Sequence, residues 1–146
     1  MSNEVIAKSV VKRLSKLKKS LSVAESITGG GLASTLTQIP GSSKVFVGGV
    51  IAYSDEVKIN HLSVSKSNLK KYGAVSEEVV LEMVHSCLKK FKTDYALATT
   101  GVAGPGKAYG KKAGTVWIAV ASKNESFAVA LSLSGTREVL RHATIA

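Results

Sequence analysis

The sequence predicts an α/β fold, a three-layer α/β/α sandwich built on a mixed β-sheet. From residue 4 to residue 100, segments with a helical spacing of apolar residues alternate with short apolar runs that are typical of strands. Beyond residue 114, two apolar runs are separated by four residues, which is the pattern of an antiparallel hairpin. Alternating helices and strands predict parallel pairing, and the hairpin adds antiparallel strands to the same sheet.

The first predicted elements are, in chain order, a helix at 4–19, a strand at 21–25, a helix at 32–39 and a buried strand at 45–53. The first helix is amphipathic, because Ile6, Val10 and Leu14 recur at a spacing of four. Gly48 and Gly49 interrupt the second strand, which predicts a bulge or a close approach of two backbones.

The later elements are predicted as a helix at 54–62, a loop with at most one helical turn at 63–75, a helix at 76–91, strands at 95–100, 115–121 and 126–133, and a helix at 136–146. Ser76 is followed by two glutamates, which favours an N-cap with acidic residues in the first turn. We therefore expect the fourth predicted helix to begin at this serine.

Length and composition restrict the class of protein. The chain has 146 residues, of which 45% are hydrophobic, so we expect one domain over 1–146. Its single cysteine, Cys87, excludes an intramolecular disulfide and favours a reducing compartment, and its apolar neighbours in a predicted helix favour a core position. The polar first five residues do not resemble a signal peptide, and no apolar run approaches the roughly 20 residues of a membrane span. We expect a cytoplasmic protein with no membrane partner.

The formal charge of +10 comes from 20 Lys+Arg against 10 Asp+Glu, and 17 of the bases are lysines. Base readout favours arginine, and single-strand binding favours aromatic side chains, which make up 5% of the chain. A solvated lysine face is therefore the main interpretation, and a basic nucleic-acid-binding protein remains an alternative.

The glycine-rich segment 101–107 matches the first seven positions of a phosphate-binding P-loop. Ala108 stands where that motif has a metal-binding Ser or Thr, and the segment leads into a strand rather than a helix. NTP hydrolysis is therefore not expected. The three histidines have no Cys or carboxylate at ligand spacing, so no metal is expected.

Ser26 follows a predicted strand and precedes Thr28 and three glycines that open a helix. Glycines allow close backbone approach and a helix start offers free N–H groups, so a serine nucleophile here would have an oxyanion hole beside it. The alternative is a simple strand-turn-helix junction with a capping Ser or Thr, which spacing alone favours.

A serine nucleophile needs a base, and no histidine lies near a predicted strand end. Lys58 lies between Val57 and Ile59 after an apolar strand that ends at Tyr53. Burial would lower the pKa of this lysine and make it a base. Tyr53 could hold the amine or relay a proton.

Seven blocks in this order resemble the CinA C-terminal domain family: 24–30, 40–43, 48–54 with Lys58, 73–78, 100–106, 114–116 and 135–137. The resemblance covers the chain from about residue 20 to its end. It implies a nicotinamide-nucleotide amidase that converts nicotinamide mononucleotide to nicotinate mononucleotide and ammonia. It implies no metal or organic cofactor.

The resemblance assigns Ser26 as the nucleophile of Glu-Ser-x-Thr-Gly-Gly and Lys58 as the base, with Tyr53 and Thr100 near the reacting amide. The expected substrate-binding residues are Thr28, Gly29 and Gly30 for the oxyanion, Thr100 for the amide, and Gly101, Gly104, Gly106 and Arg137 for the phosphate. The expected partner is a small pyridine nucleotide, and a homodimer is also expected.

Three features depart from the family. Ile27 stands where cysteine is usual, and residues 108–113 replace a stretch richer in glycine. The chain ends at Ala146, where the family usually continues the last helix by several turns, and the family's separate N-terminal domain is absent, so we expect a stand-alone form. A pyridine-nucleotide-binding or regulatory module with weak or no catalysis is therefore a further alternative.

Overall fold

A computed structural model describes all residues from 1 to 146 and contains one five-stranded sheet in the order β2-β1-β3-β4-β5. The strands are β1 (Leu21–Glu25), β2 (Phe46–Ile51), β3 (Tyr95–Gly101), β4 (Thr115–Ser122) and β5 (Ser126–Ser132). The first three strands are parallel, and β4 and β5 are added antiparallel. The mixed sheet and its closing hairpin confirm the predicted α/β class.

Helices cover both faces of the sheet. They are α1 (Asn3–Leu17), α2 (Gly31–Thr37), α3 (Asp55–Leu62), α4 (Lys66–Tyr72), α5 (Glu77–Phe91) and α6 (Arg137–Ile145), with a 3-10 turn at Ser42–Lys44. Helices α1, α2 and α6 lie on one face, and α3, α4 and α5 lie on the other. This arrangement is the predicted three-layer sandwich.

The long helix α5 packs across the centre of the sheet. Its buried Met83, Val84 and Cys87 pack against a sheet face that carries mainly alanines. Small side chains on the sheet let the helix approach closely, and the larger helix side chains fill the space between the layers. Cys87 donates to Ser22 Oγ over 3.3 Å, and its place in the core confirms the prediction.

Strand β2 differs from its prediction as a buried strand. It is the edge of the sheet, and Val47 and Ile51 are 57% and 55% exposed because only one face of the strand is covered. The two glycines behave as expected. The register shifts opposite them between Leu21 and Ser22, and a Cβ on Gly49 would lie 2.5 Å from the Val23 carbonyl oxygen.

The predicted loop at 63–75 contains the seven-residue helix α4. Ser65 caps it by accepting from the Asn68 N–H at 3.2 Å. Glu82 of α5 in turn accepts from the Ser65 N–H at 2.6 Å and from the Asn68 side chain. A long-range contact therefore stabilises a helix that has no apolar periodicity of its own.

Ser76 caps α5 as predicted, since its hydroxyl accepts from the Val79 N–H at 3.3 Å. The glycine-rich segment after β3 leads through a turn, closed by Ala108 and Lys111, into β4. No helix follows it, which agrees with the exclusion of a P-loop. None of the helices has both the length and the apolar content that crossing a membrane requires.

Candidate active site

Three parallel strands end at the same edge of the sheet, which is where α/β proteins bind ligands. Ser26 follows β1 directly, Tyr53 lies two residues beyond β2, and Gly101 is the last residue of β3. A cavity of about 290 Å³ opens at this edge and is lined by all three residues. Lys58 and Arg137 also line it.

The two predicted catalytic side chains meet in this cavity. Lys58 Nζ lies 3.0 Å from Ser26 Oγ and donates to the Ala52 carbonyl oxygen over 2.8 Å. Lys58 is 1% exposed and Ser26 is 7% exposed. The lysine reaches this position because α3 begins at the Ser54 cap, directly after β2, and turns its first buried side chain toward the end of β1.

Burial lowers the pKa of the Lys58 ammonium below its ordinary value of 10.5. The charge of Asp55, one turn earlier in α3, acts in the opposite direction and is the smaller effect. No carboxylate lies within 4.0 Å of the amine, since the structure's one salt bridge joins Lys19 and Asp94. A neutral amine at this place has its lone pair available to the serine hydroxyl.

Glu25, which the sequence analysis did not single out, is fully buried beside Ser26. Its carboxylate accepts from the Leu32 N–H at 2.8 Å and the Ala33 N–H at 3.0 Å, and it also accepts from the Thr28 hydroxyl. It therefore caps α2, and the N–H groups that we expected to be free at this helix start are occupied. The signal in the sequence was an acidic residue directly before the serine at a predicted helix start.

Because the Glu25 carboxylate caps α2, Ser26 does not cap this helix. Its backbone N–H donates to the Thr99 carbonyl at 3.1 Å, and its hydroxyl faces only the lysine amine. The alternative of a capping serine does not apply to Ser26. Its role as a nucleophile stays a prediction.

The 27–30 turn, which joins β1 to α2, lies beside the cavity. Thr28 is fully buried with its hydroxyl on Glu25 and Thr99, and Gly29 and Gly30 adopt positive φ of 56° and 97°. None of these three lines the cavity, and Ile27 forms the wall on this side. The structure thus does not bring the predicted oxyanion residues to the cavity surface, because the Thr28 side chain is directed into the core.

Tyr53 lies at the mouth of the cavity and is 54% exposed. Its hydroxyl accepts from Arg137 Nη2 at 2.6 Å, and Arg137 Nη1 donates to the Gly104 carbonyl over 2.7 Å. The Ala52 carbonyl, rather than Tyr53, holds the lysine amine. Tyr53, Arg137 and the glycine-rich loop therefore form one linked rim.

The glycine-rich loop supplies the opposite wall. Thr100, Gly101, Gly104 and Gly106 all line the cavity, and the Thr100 hydroxyl donates to the Ala74 carbonyl over 2.8 Å. The backbone N–H groups of 103, 104, 106 and 107 donate to no protein acceptor. With Lys107 and Arg137 on its walls and no acidic side chain there, the cavity suits an anionic ligand.

A second cavity, of about 350 Å³, lies between the sheet and helices α1 and α6. Its walls are mostly apolar and carry no titratable side chain. No group of three or more His, Cys, Asp or Glu side chains comes together anywhere in the protein. The Ser26 cavity is therefore where the reactive groups converge.

Curated proteins of similar sequence match almost the whole chain. A 46% identical relative from Clostridium botulinum Type F, a "Putative competence-damage inducible protein", matches over 143 residues, which are 97% of this chain and 34% of that protein. A 44% identical "CinA-like protein" from Thermotoga neapolitana matches 97% of this chain and 35% of its own length. The chain thus spans about a third of these curated relatives.

Solved structures of similar proteins superpose closely on this chain. A CinA superfamily protein from Escherichia coli superposes with a TM-score of 0.96 at 32% identity, covering 99% of this chain and 84% of that one. A competence/damage inducible protein from Agrobacterium tumefaciens superposes with a TM-score of 0.95 at 34% identity, covering 98% and 88%. The family model described as the CinA C-terminal domain matches residues 3–146. The chain therefore belongs to the CinA C-terminal domain family.

Proposed function

We propose that the protein hydrolyses the carboxamide of nicotinamide mononucleotide to nicotinate mononucleotide and ammonia. The observation that carries the proposal is the 3.0 Å approach of the buried Lys58 amine to Ser26 Oγ inside a cavity. A serine next to a desolvated lysine is suited to acyl transfer. The substrate comes from the family resemblance, and the positive cavity is compatible with its phosphate.

In the first half of the reaction, neutral Lys58 takes the Ser26 hydroxyl proton while Oγ attacks the carboxamide carbon. The carbonyl oxygen becomes an oxyanion, which a backbone N–H group that faces the cavity stabilises. The Lys58 ammonium then gives its proton to the amide nitrogen, the C–N bond breaks, and ammonia leaves. The product is an ester between Ser26 and the nicotinoyl group.

In the second half, water attacks the ester carbon and Lys58 takes a proton from it. The tetrahedral intermediate collapses, the bond from carbon to Ser26 Oγ breaks, and Lys58 returns the proton to Oγ. The new carboxylic acid releases the remaining water proton to solvent, and nicotinate mononucleotide leaves as a carboxylate. Each proton that Lys58 accepts is released in the same half reaction, so the enzyme ends as it began.

The rim of the cavity provides for the phosphate. Arg137 uses two of its N–H groups on the protein, and the others remain available to an anion. Lys107 and the free N–H groups of the glycine-rich loop lie on the same rim. These donors lie at the cavity mouth, whereas Ser26 and Lys58 are buried, so the phosphate would bind at the mouth and the pyridine amide inside.

The test is incubation with nicotinamide mononucleotide, with ammonia and nicotinate mononucleotide measured by chromatography. We expect wild type to form both in equal amounts and Ser26→Ala and Lys58→Met to lose at least about 1,000-fold in kcat. The matched controls are Ser34→Ala and Lys66→Met, which change exposed residues of the same types and should keep full activity.

Full activity in either cavity variant would contradict the assigned roles. Tight binding of the nucleotide by calorimetry without turnover would contradict the amidase and favour the binding module. Affinity for nucleic acid that falls steeply with salt, in a protein without amidase activity, would favour the lysine-rich surface as the functional one.

A further inference from the structure

Arg141 of α6 reaches the 27–30 turn from the side that faces away from the cavity. Its Nε donates to the Ile27 carbonyl over 3.2 Å and its Nη2 donates to the Thr28 carbonyl over 3.0 Å. Gly29 leaves room for this contact, since a Cβ there would lie 3.1 Å from Nη2. Arg141 does not line the cavity, so a direct contact with substrate is not its task.

The guanidinium restrains two consecutive peptide units: it is the only side chain that binds their carbonyls, and the Gly31 N–H also donates to the Thr28 carbonyl over 2.9 Å. In a trans peptide the C=O and the N–H point in opposite directions, so a carbonyl held by Arg141 turns the next N–H away from it. The first unit carries the Thr28 N–H, which donates to no protein acceptor. The second unit carries the Gly29 N–H, which donates to the Ser26 carbonyl over 3.0 Å.

The hydrogen bond from the Gly29 N–H to the Ser26 carbonyl also orients the peptide that joins Ser26 and Ile27. With the Ser26 carbonyl turned toward Gly29, the Ile27 N–H points the other way, and it too has no acceptor in the protein. Ile27 directly follows the nucleophile and lines the cavity. A free N–H at this place is suited to an oxyanion, which needs donors that are aimed before the reaction begins.

We propose that Arg141 is a positioning residue that holds the 27–30 turn so that the Ile27 N–H faces the cavity as an oxyanion donor. The proposal rests on Ser26 as nucleophile, as in the proposed function, but not on the identity of the substrate. Two glycines in the turn make peptide reorientation easy when no side chain holds the carbonyls. The bidentate, charged guanidinium provides that restraint.

The first test compares Arg141→Lys and Arg141→Ala in the amidase assay. We expect kcat to fall by about 10-fold for Lys, which cannot hold both carbonyls, and about 100-fold for Ala, with KM within about threefold of wild type. Added methylguanidinium should restore part of the kcat of Arg141→Ala. The matched control is Arg13→Ala, which changes an exposed residue of α1 and should lose no activity and gain none from methylguanidinium.

The second test does not depend on the substrate. A fluorophosphonate forms a bond from Ser26 Oγ to phosphorus, fluoride leaves, Lys58 takes the hydroxyl proton, and the phosphoryl oxygen occupies the oxyanion position. We expect Arg141→Ala to slow this labelling by at least about 10-fold. Mass spectrometry of the labelled peptide identifies the modified serine.

The outcomes separate the two proposals. Labelling of Ser26 that depends on Arg141, in a protein that does not hydrolyse nicotinamide mononucleotide, would support the positioning role and overturn the proposed function. Equal labelling of wild type and Arg141→Ala would overturn the positioning role, as would a wild type that is not labelled at Ser26. A loss of kcat that follows loss of thermal stability and is not restored by methylguanidinium would also overturn it.

Discussion

The Lys58 amine lies 3.0 Å from the Ser26 hydroxyl oxygen, although the two residues are 32 positions apart in the chain. Adjacent parallel strands bring them together, because Ser26 follows β1 and Lys58 lies in the first turns of the helix that follows β2. The Ala52 carbonyl fixes the amine without adding a charge. The lysine is therefore held in place by a neutral group, and burial can lower its pKa.

The first prediction concerns the pH dependence of the reaction. Only neutral Lys58 can accept the serine proton, so kcat/KM should rise with pH up to the lowered pKa of Lys58 and level off below 10.5. Asp55 raises the pKa of this lysine, so Asp55→Asn should move the midpoint to lower pH. Steady-state kinetics over a pH series measure both.

The exposed Glu4→Gln on α1 is the control, since its charge lies outside the environment of the amine and its profile should match wild type. An upward shift in Asp55→Asn, or a midpoint at the ordinary lysine value, would contradict the assignment of Lys58 as base.

The second prediction concerns stability. Because the pKa of Lys58 is lower in the folded state than in the unfolded state, the unfolded protein binds more protons between that lowered pKa and about 10.5. The free energy of unfolding of wild type, relative to Lys58→Met, should therefore rise with pH across this window by up to about 1.4 kcal/mol per unit. Below the window the cost of burying the charge is fully present.

Urea unfolding of both proteins at several pH values measures the difference between them, so that other titrating groups cancel. Lys66→Met removes an exposed lysine and should give a difference from wild type that does not change with pH. A wild-type advantage that shrinks as the pH rises would show that the pKa of Lys58 is not lowered.

The pairing of Ser26 with Lys58 could be predicted from sequence because its signals are local. Ser26 stands at a strand end before glycines, and Lys58 lies between apolar residues after a strand. Gly49 was predicted to allow a close approach, and the Val23 backbone is there. In each case a few residues that are neighbours in the sequence predict a feature that the structure contains.

What sequence reasoning missed depends on partners far apart in the chain. Glu82 stabilises α4 from 17 residues away, and Arg137 reaches Tyr53 across 84 positions. Arg141 contacts the turn at Ile27 over 114 positions. Nothing in the segment around each of these polar side chains names its partner, and only the packing of α5 and α6 against the sheet shows which group it contacts.

The third prediction concerns the cap on α2. Glu25→Gln replaces one carboxylate oxygen with an NH₂ group. This group would face the backbone N–H of Leu32 or Ala33, so two donors would meet and neither would have an acceptor there. We expect the free energy of unfolding to fall by about 2 kcal/mol. Glu4→Gln on the surface should change it by less than about 0.5 kcal/mol. Urea unfolding measures both, and equal effects of the two variants would contradict the capping role.

The fourth prediction concerns the contact between β1 and β2. A Cβ on Gly49 would lie 2.5 Å from the Val23 carbonyl oxygen, a backbone atom that cannot move without disturbing the parallel pair. Gly49→Ala should therefore cost at least about 2 kcal/mol in the free energy of unfolding. Gly106→Ala is the matched control, because a Cβ there meets nothing within 4 Å. Similar unfolding midpoints for both variants would contradict the close packing of these strands.

The last prediction separates the rim from the reactive pair. Arg137 donates to both Tyr53 and Gly104, and its remaining N–H groups are proposed to bind the phosphate. Arg137→Ala should raise the KM for nicotinamide mononucleotide by about 10- to 100-fold, as loss of a charged hydrogen bond predicts, with a smaller effect on kcat. Nicotinamide riboside, which has no phosphate, is the control substrate, and its kcat/KM should change by less than about threefold.

Tyr53→Phe removes one of the two tethers of the Arg137 guanidinium and leaves the bond to Gly104. We expect a rise in KM of about threefold and an unchanged kcat, because the Tyr53 hydroxyl contacts neither Ser26 nor Lys58. A large fall in kcat in Tyr53→Phe would instead favour the proton relay expected from the sequence. An equal loss of kcat/KM on both substrates in Arg137→Ala would mean that the arginine shapes the cavity rather than binding the phosphate.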